Sequence, residues 1–146
     1  MRGTGYLKII SFILIILLMG AIIAFGVRSM AIVEGRSMEP LFHTGDVVFL
    51  RSKTEDQIKV GDIVVYQMNG KYIIHRVVDI YKAGNITCYI VKGDNNPIPD
   101  PGNPSCPFIN GLRGIPFSSV KGVVVTIEDT PIKIPYLGGV TLLLRG

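Results

Sequence analysis
The chain has no tryptophan, and its 146 residues include only two cysteines and two histidines. Cys88, Cys106, His43 and His75 lie too far apart to form the short C-x₂₋₄-C gaps of a structural zinc site. That excludes the ordinary zinc-binding folds, and no metal or cofactor is expected. An excess of charge is also missing where it would matter. The net charge is +4, but Arg2, Lys8 and Arg28 supply +3 of it around an apolar segment. Residues 31–146 carry 12 basic and 11 acidic residues. A surface so nearly balanced offers no basic patch for DNA or RNA, so no nucleic-acid partner is expected.

What the chain has in abundance is apolar sequence near its start. Ile9 to Val27 is 19 residues without a charge, interrupted only by Ser11, Gly20 and Gly26. As a helix it would be about 28 Å long, close to the hydrocarbon thickness of a bilayer. Arg2 and Lys8 precede it and Arg28 follows, which by the positive-inside rule leaves a short cytoplasmic N-terminus and everything after residue 30 outside. A cleaved signal peptide is the rival reading, with Ala24-Phe25-Gly26 as a small-x-small exit. The run exceeds the usual apolar core of such peptides, so an anchor in the lipid bilayer is expected. Ser37 lies ten residues past Val27, a reach of at most ~35 Å.

Beyond residue 30 the pattern is that of strands and turns. Gly45-Asp46 leads into Val47–Leu50, and Gly61-Asp62 into Ile63–Tyr66. Asn69-Gly70 predicts a hairpin that returns as Lys71–Ile80, and Ala83-Gly84-Asn85 turns into Ile86–Lys92. Gly93–Pro116 holds six of the nine prolines and is expected to be irregular; Lys121–Ile127 is the last clear strand. The predicted architecture is an all-β domain over 31–146, behind a transmembrane helix and N-terminus over 1–30. The apolar run Val140–Leu144 is too short to span a membrane and is expected to pack on the core or touch lipid.

Chemistry centres on Ser37, set between Gly35 and Pro40. Gly35 permits backbone geometry closed to other residues, and Pro40 biases Glu39 toward an extended conformation, so Ser37 is expected on a bend. A hydroxyl becomes a useful nucleophile when a neighbouring base takes its proton. His43 would need a tight local loop to fold back. His75 shares a strand face with Ile73 and Val77, where a titratable ring needs a polar partner. It is either a core histidine bonded to a carbonyl or a general base. Asp100, boxed between Pro99 and Pro101, and Asp94, beside Gly93 and Asn95, are either turn aspartates or the acid that orients such a base. Asp46 and Asp62 read as turn residues.

Gly35-Arg36-Ser37-Met38-Glu39-Pro40, Tyr72-Ile73-Ile74-His75-Arg76-Val77-Val78 and Lys92-Gly93-Asp94-Asn95-Asn96 followed by Asp100 resemble, in order, the boxes of type I signal peptidases. His-Arg-Val in place of Lys-Arg-Val resembles the branch of the endoplasmic reticulum, archaea and some spore-forming Gram-positive bacteria. The resemblance covers about residues 5–136. It implies a β-rich, coiled and partly barrel-like catalytic domain on a membrane anchor. It further implies a serine endopeptidase that removes signal peptides from exported precursors at the cell or endoplasmic reticulum membrane. Ser37 would be the nucleophile, His75 the general base, Asp100 its supporting acid and Asp94 a second acid shaping the loop. The implied partners are signal peptides, the bilayer and the translocation machinery. A non-catalytic peptide-binding β module and a peptidase for a narrow substrate set are the alternatives. One departure stands out: many relatives carry a hydroxyl residue two before the nucleophile, where this chain has Gly35. Cys88 and Cys106 would face an oxidising compartment, which permits a disulfide bracing the proline-rich loop. Asn85-Ile86-Thr87 is a glycosylation sequon.

Overall fold
The computed structural model describes residues 3–27 and 29–136. The chain divides into two compact units, with the boundary between Met30 and Ala31. In the first, helix α1 runs Gly3–Val27, 25 residues. Its large side chains from Ile9 to Met19 are all more than half exposed, and they are apolar around the whole circumference. Side chains of 3–5, 7 and 22–27 lie outside the described residues. Among the described residues no helix is long and apolar enough to cross a membrane. The sequence expectation for the apolar run at 140–144 also falls outside them.

The second unit is β-rich. Strands are β1 (Met30–Ile32), β2 (Val47–Arg51), β3 (Ile63–Met68), β4 (Lys71–Ala83), β5 (Ile86–Lys92), β6 (Ile115–Pro116), β7 (Val120–Val124), β8 (Thr126–Ile127), β9 (Thr130–Pro131) and β10 (Lys133–Ile134). One sheet runs in the order β1-β2-β7-β3-β4-β5-β6, with β10 also paired to β2; β8 and β9 form a separate ribbon. The Asn69-Gly70 turn joins β3 to β4 in antiparallel register, Val64 opposite His75 and Tyr66 opposite Ile73. The proline-rich stretch is not wholly irregular as expected. Ile115 and Pro116 pair with Tyr89 and Cys88, because an edge strand tolerates a residue without an N–H.

Ile63 through Tyr66 are all buried, which alternation on a one-sided sheet would not allow. The reason is that the sheet carries apolar clusters on both faces. Val64, Tyr66, Val77, Tyr89, Val91 and Val123 pack in one cluster. Ile63 and Val124, each next in sequence to a member of the first, pack in the other with Val33, Met38, Phe42 and Val48. The second cluster is what seats the loop after β1: Met38 and Phe42 are buried on either side of Glu39-Pro40, whose peptide bond is cis.

The Cys88–Cys106 disulfide is formed, tying the proline-rich loop to β5. Asp46 is more than the turn residue its sequence suggested. It is fully buried, and its Oδ2 accepts from the His43 N–H at 3.1 Å and from Lys133 Nζ at 2.8 Å. Lys133 Nζ also donates to the Leu41 carbonyl at 2.8 Å, so β10 clamps the end of the serine loop.

Candidate active site
Ser37 lies on a turn whose local bonds are Glu39 N–H to Arg36 O and Phe42 N–H to Met38 O. Gly35 begins it with a φ of +92°, a conformation side chains resist. Thr44 fixes that residue from both sides: its Oγ1 accepts from the Gly35 N–H at 3.1 Å and donates to the Gly35 carbonyl at 2.9 Å. Arg36 extends into solvent and pairs with Glu39.

His75 sits mid-strand on β4 and is 6 % exposed. Its Nε2 is 3.0 Å from Ser37 Oγ, and its Nδ1 is 2.5 Å from Asp100 Oδ2. Asp100 hangs on the proline-rich loop, and its own N–H donates to the Val91 carbonyl of β5. Asp100 as acceptor at Nδ1 fixes the Nδ1–H tautomer and turns the Nε2 lone pair toward the serine hydroxyl. The structure thus brings three of the four sequence candidates into one line, hydroxyl to imidazole to carboxylate.

Asp94 is not in that line. Both its oxygens accept from the Arg76 guanidinium, at 2.8 Å from Nε and 2.7 Å from Nη2, while Arg76 Nη1 reaches the Gly61 carbonyl. The Asp94 hydrogen bond pushes the Arg76 guanidinium further up in pKa, against the opposing effect of burial. The pair locks β4 to the loop that follows β5. His43 stands apart, its ring beside Tyr136.

Two loops meet at Ser37. Asn95 N–H donates to the Ser37 carbonyl at 2.8 Å, and the Asn95 side-chain amide to the Arg36 carbonyl at 3.1 Å. Gly93 lets them approach: a Cβ there would fall 2.6 Å from the Ser37 carbonyl oxygen and 2.9 Å from His75 Nε2. Sequence reasoning missed Tyr66, a fully buried residue of β3 whose hydroxyl donates to Asp100 Oδ2. The available signal was a phenol inside an apolar strand, since a buried tyrosine hydroxyl generally finds an acceptor.

Ser37 opens onto a cleft of about 610 Å³. Ala31 and Ile32 of β1 line one part, Val65, Tyr72, Ile73 and Ile74 of the β3–β4 hairpin another, and Glu34 and Lys71 add charge. A larger cleft of about 670 Å³, lined by Glu55, Asp56, Lys82 and Asn85 among others, contains none of the aligned residues. The arrangement at Ser37 can transfer a proton from hydroxyl to imidazole and hold the resulting cation against a carboxylate, the requirements of nucleophilic acyl transfer.

Residues 28–96, which include Ser37 and His75, match the Peptidase S24-like family. The signal peptidase complex catalytic subunit SEC11C of Homo sapiens is 36 % identical over 130 residues, covering 86 % of this chain and 62 % of its own length. The signal peptidase complex catalytic subunit SEC11 of Candida albicans is 33 % identical over 126 residues, covering 85 % of this chain and 70 % of its own. The putative subunit SEC11B of Homo sapiens is 39 % identical over 87 residues, 57 % of this chain and 52 % of that one. The chain thus spans less than two thirds of the length of the SEC11C relatives. With a similarity of this depth running across both the serine and the histidine, the chain belongs to the type I signal peptidases, on the side of the SEC11 catalytic subunits.

Proposed function
We propose that the protein is a membrane-anchored serine endopeptidase that removes signal peptides from exported precursors. The observation that carries this reading is the alignment of Ser37 Oγ, His75 and Asp100 beside an open cleft. His75 takes the proton of Ser37 as its oxygen attacks the scissile carbonyl. The imidazolium, held by Asp100, then protonates the leaving amine. In the second half of the cycle the same ring activates water to release the acyl group. The oxyanion is met by the Ser37 N–H together with a second donor.

The precursor lies extended in the cleft and adds its backbone along β1, an edge strand bonded to β2. The apolar circumference of α1 and the uncharged run Ile9–Val27 support an anchor in the bilayer, since a helix apolar on every side needs an apolar surrounding. A precursor's scissile bond follows its own apolar segment. Holding both in one layer by a short tether raises their effective concentration without new contacts. The relatives' names, catalytic subunits of a signal peptidase complex, support this substrate class and suggest partner subunits. Asp94 acts on the reaction only through the loop it shapes with Arg76.

The test is cleavage of a precursor by the full chain reconstituted in bilayers. Wild type is expected to release the mature protein, and Ser37→Ala to release none. A non-catalytic binding module would retain the precursor uncut in both.

A further inference from the structure
We propose that Tyr66 is a positioning residue of this site: its phenol pins the Asp100 carboxylate so that His75 is aimed at Ser37 before substrate arrives. The proposal rests on the peptidase reading above and adds a fourth member to its hydrogen-bond line.

The geometry comes from two neighbouring strands. Val64 of β3 stands opposite His75 of β4, and Tyr66 stands opposite Ile73, so Tyr66 and His75 project from the same face as diagonal neighbours. Their ring centroids are 6.4 Å apart and tilted by 54°. Both reach one atom: the Tyr66 hydroxyl donates to Asp100 Oδ2, and His75 Nδ1 meets that oxygen at 2.5 Å. One carboxylate oxygen held by donors from two strands cannot swing away without breaking both bonds. Asp100 needs such restraint because it comes from a loop, tied to the sheet through its own N–H and the Val91 carbonyl.

A second observation points the same way. Tyr66 packs among Val64, Val77, Tyr89, Val91 and Val123, where a phenylalanine would fill nearly the same volume with no hydroxyl to satisfy. Burial, and then the bond to Asp100, push the phenol's ionisation far above its ordinary value, so it is always a donor.

The experiment compares wild type, Tyr66→Phe, Asp100→Asn and the double variant in the full chain. Two readouts are used: precursor cleavage, and the proton NMR resonance of the His75 ring N–H in detergent. The Tyr66→Phe chain is expected to fold, with kcat down about 10-fold and KM unchanged. In the Asp100→Asn background the same change is expected to cost almost nothing, because its target is gone. The His75 resonance is expected to shift in Tyr66→Phe. An unmoved resonance, an unchanged kcat or equal losses in both backgrounds overturns the role of Tyr66. Absence of Ser37-dependent cleavage by wild type overturns the peptidase reading instead, and the resonance still decides the Tyr66 contact.

Discussion
A single carbon atom decides whether the two loops of the site can meet. Gly93 follows Lys92, the last residue of β5 paired with β4, and it faces the carbonyl of Ser37, the His75 ring and the Asn96 amide at once. An added methyl would lie 2.6 Å from the first and 2.8 Å from the last, closer than carbon and oxygen or nitrogen can approach. Something must shift, and the nearest of the three is the backbone of Ser37. Gly93→Ala is expected to lower kcat on a precursor by about 10²-fold while the chain still folds, as expected for a displacement of about an ångström at reacting atoms. Steady-state cleavage with circular dichroism as a folding control checks it; near-normal kcat would mean that the close approach is dispensable.

The residues the sequence singled out were readable because motif order constrains them jointly. Ser37, His75 and Asp100 each looked ordinary alone, and the folded chain brings the three together. Asp94 illustrates the opposite. The resemblance gave it as a second acid shaping the loop, but its partner, Arg76 of β4, to which both oxygens go, could not be named from the sequence. Tyr66 was not readable, since nothing in Ile63-Val64-Val65-Tyr66 tells which loop, 34 residues later, will supply the acceptor.

At the scale of elements, the strands bounded by turns were readable and the shortest ones were not. Val47–Arg51, Ile63–Met68, Lys71–Ala83 and Ile86–Lys92 have turn residues at their ends and enough length to show a pattern. Elements of two or three residues, such as β1, β6 and β10, carry no periodicity, and partners distant in sequence define them. Two of the supports for the site are long-range, one anticipated in the sequence and one not. The first is the Cys88–Cys106 bond, whose 18-residue separation encloses Gly93, Asp94 and Asp100. Replacing both cysteines with alanine should cost about 3 kcal/mol from the loop-closure entropy alone. Urea unfolding measures that loss. It should be accompanied by a lower kcat, because the Asp100 loop loses one of its ties.

The second support is Lys133 of β10. Burial works against the charge of Asp46, but the Lys133 hydrogen bond and the N–H groups of His43 and Tyr136 outweigh it and hold the carboxyl below its ordinary 3.8. A carboxyl depressed in the folded state contributes stability that is complete above its unfolded value. That contribution is lost as pH falls through the folded value. Lys133→Met leaves the buried carboxylate without its cation and should destabilise by about 2 kcal/mol near neutrality. The gap to wild type should narrow as the pH is lowered from about 7 toward about 3, since both forms then approach a neutral Asp46. A gap that widens on acidification would contradict this assignment.

For the molecule as a whole, the sequence divides cleanly into an uncharged run and a charge-balanced, turn-rich remainder, and the two compact units part between Met30 and Ala31. The β class was legible because the turn signals bound runs rich in β-branched and aromatic residues, and the one run long enough for a helix, Lys71–Ala83, follows a hairpin turn. The two-sided burial of β3 was legible only as an unbroken apolar run, whose meaning depends on which clusters close over it. All of these supports bear on one pair of atoms.

In the proposed mechanism the Ser37 hydroxyl and the His75 imidazole act as a unit. The direct measurement is single-turnover cleavage of a precursor in bilayers by Ser37→Ala, His75→Ala and the double variant. Each single substitution should reduce the rate by about 10⁴-fold or more, and the double should lose no more than either alone, because removing one partner already disables the other. Losses that multiply in the double variant, or a His75→Ala chain that cleaves like wild type, would contradict the account.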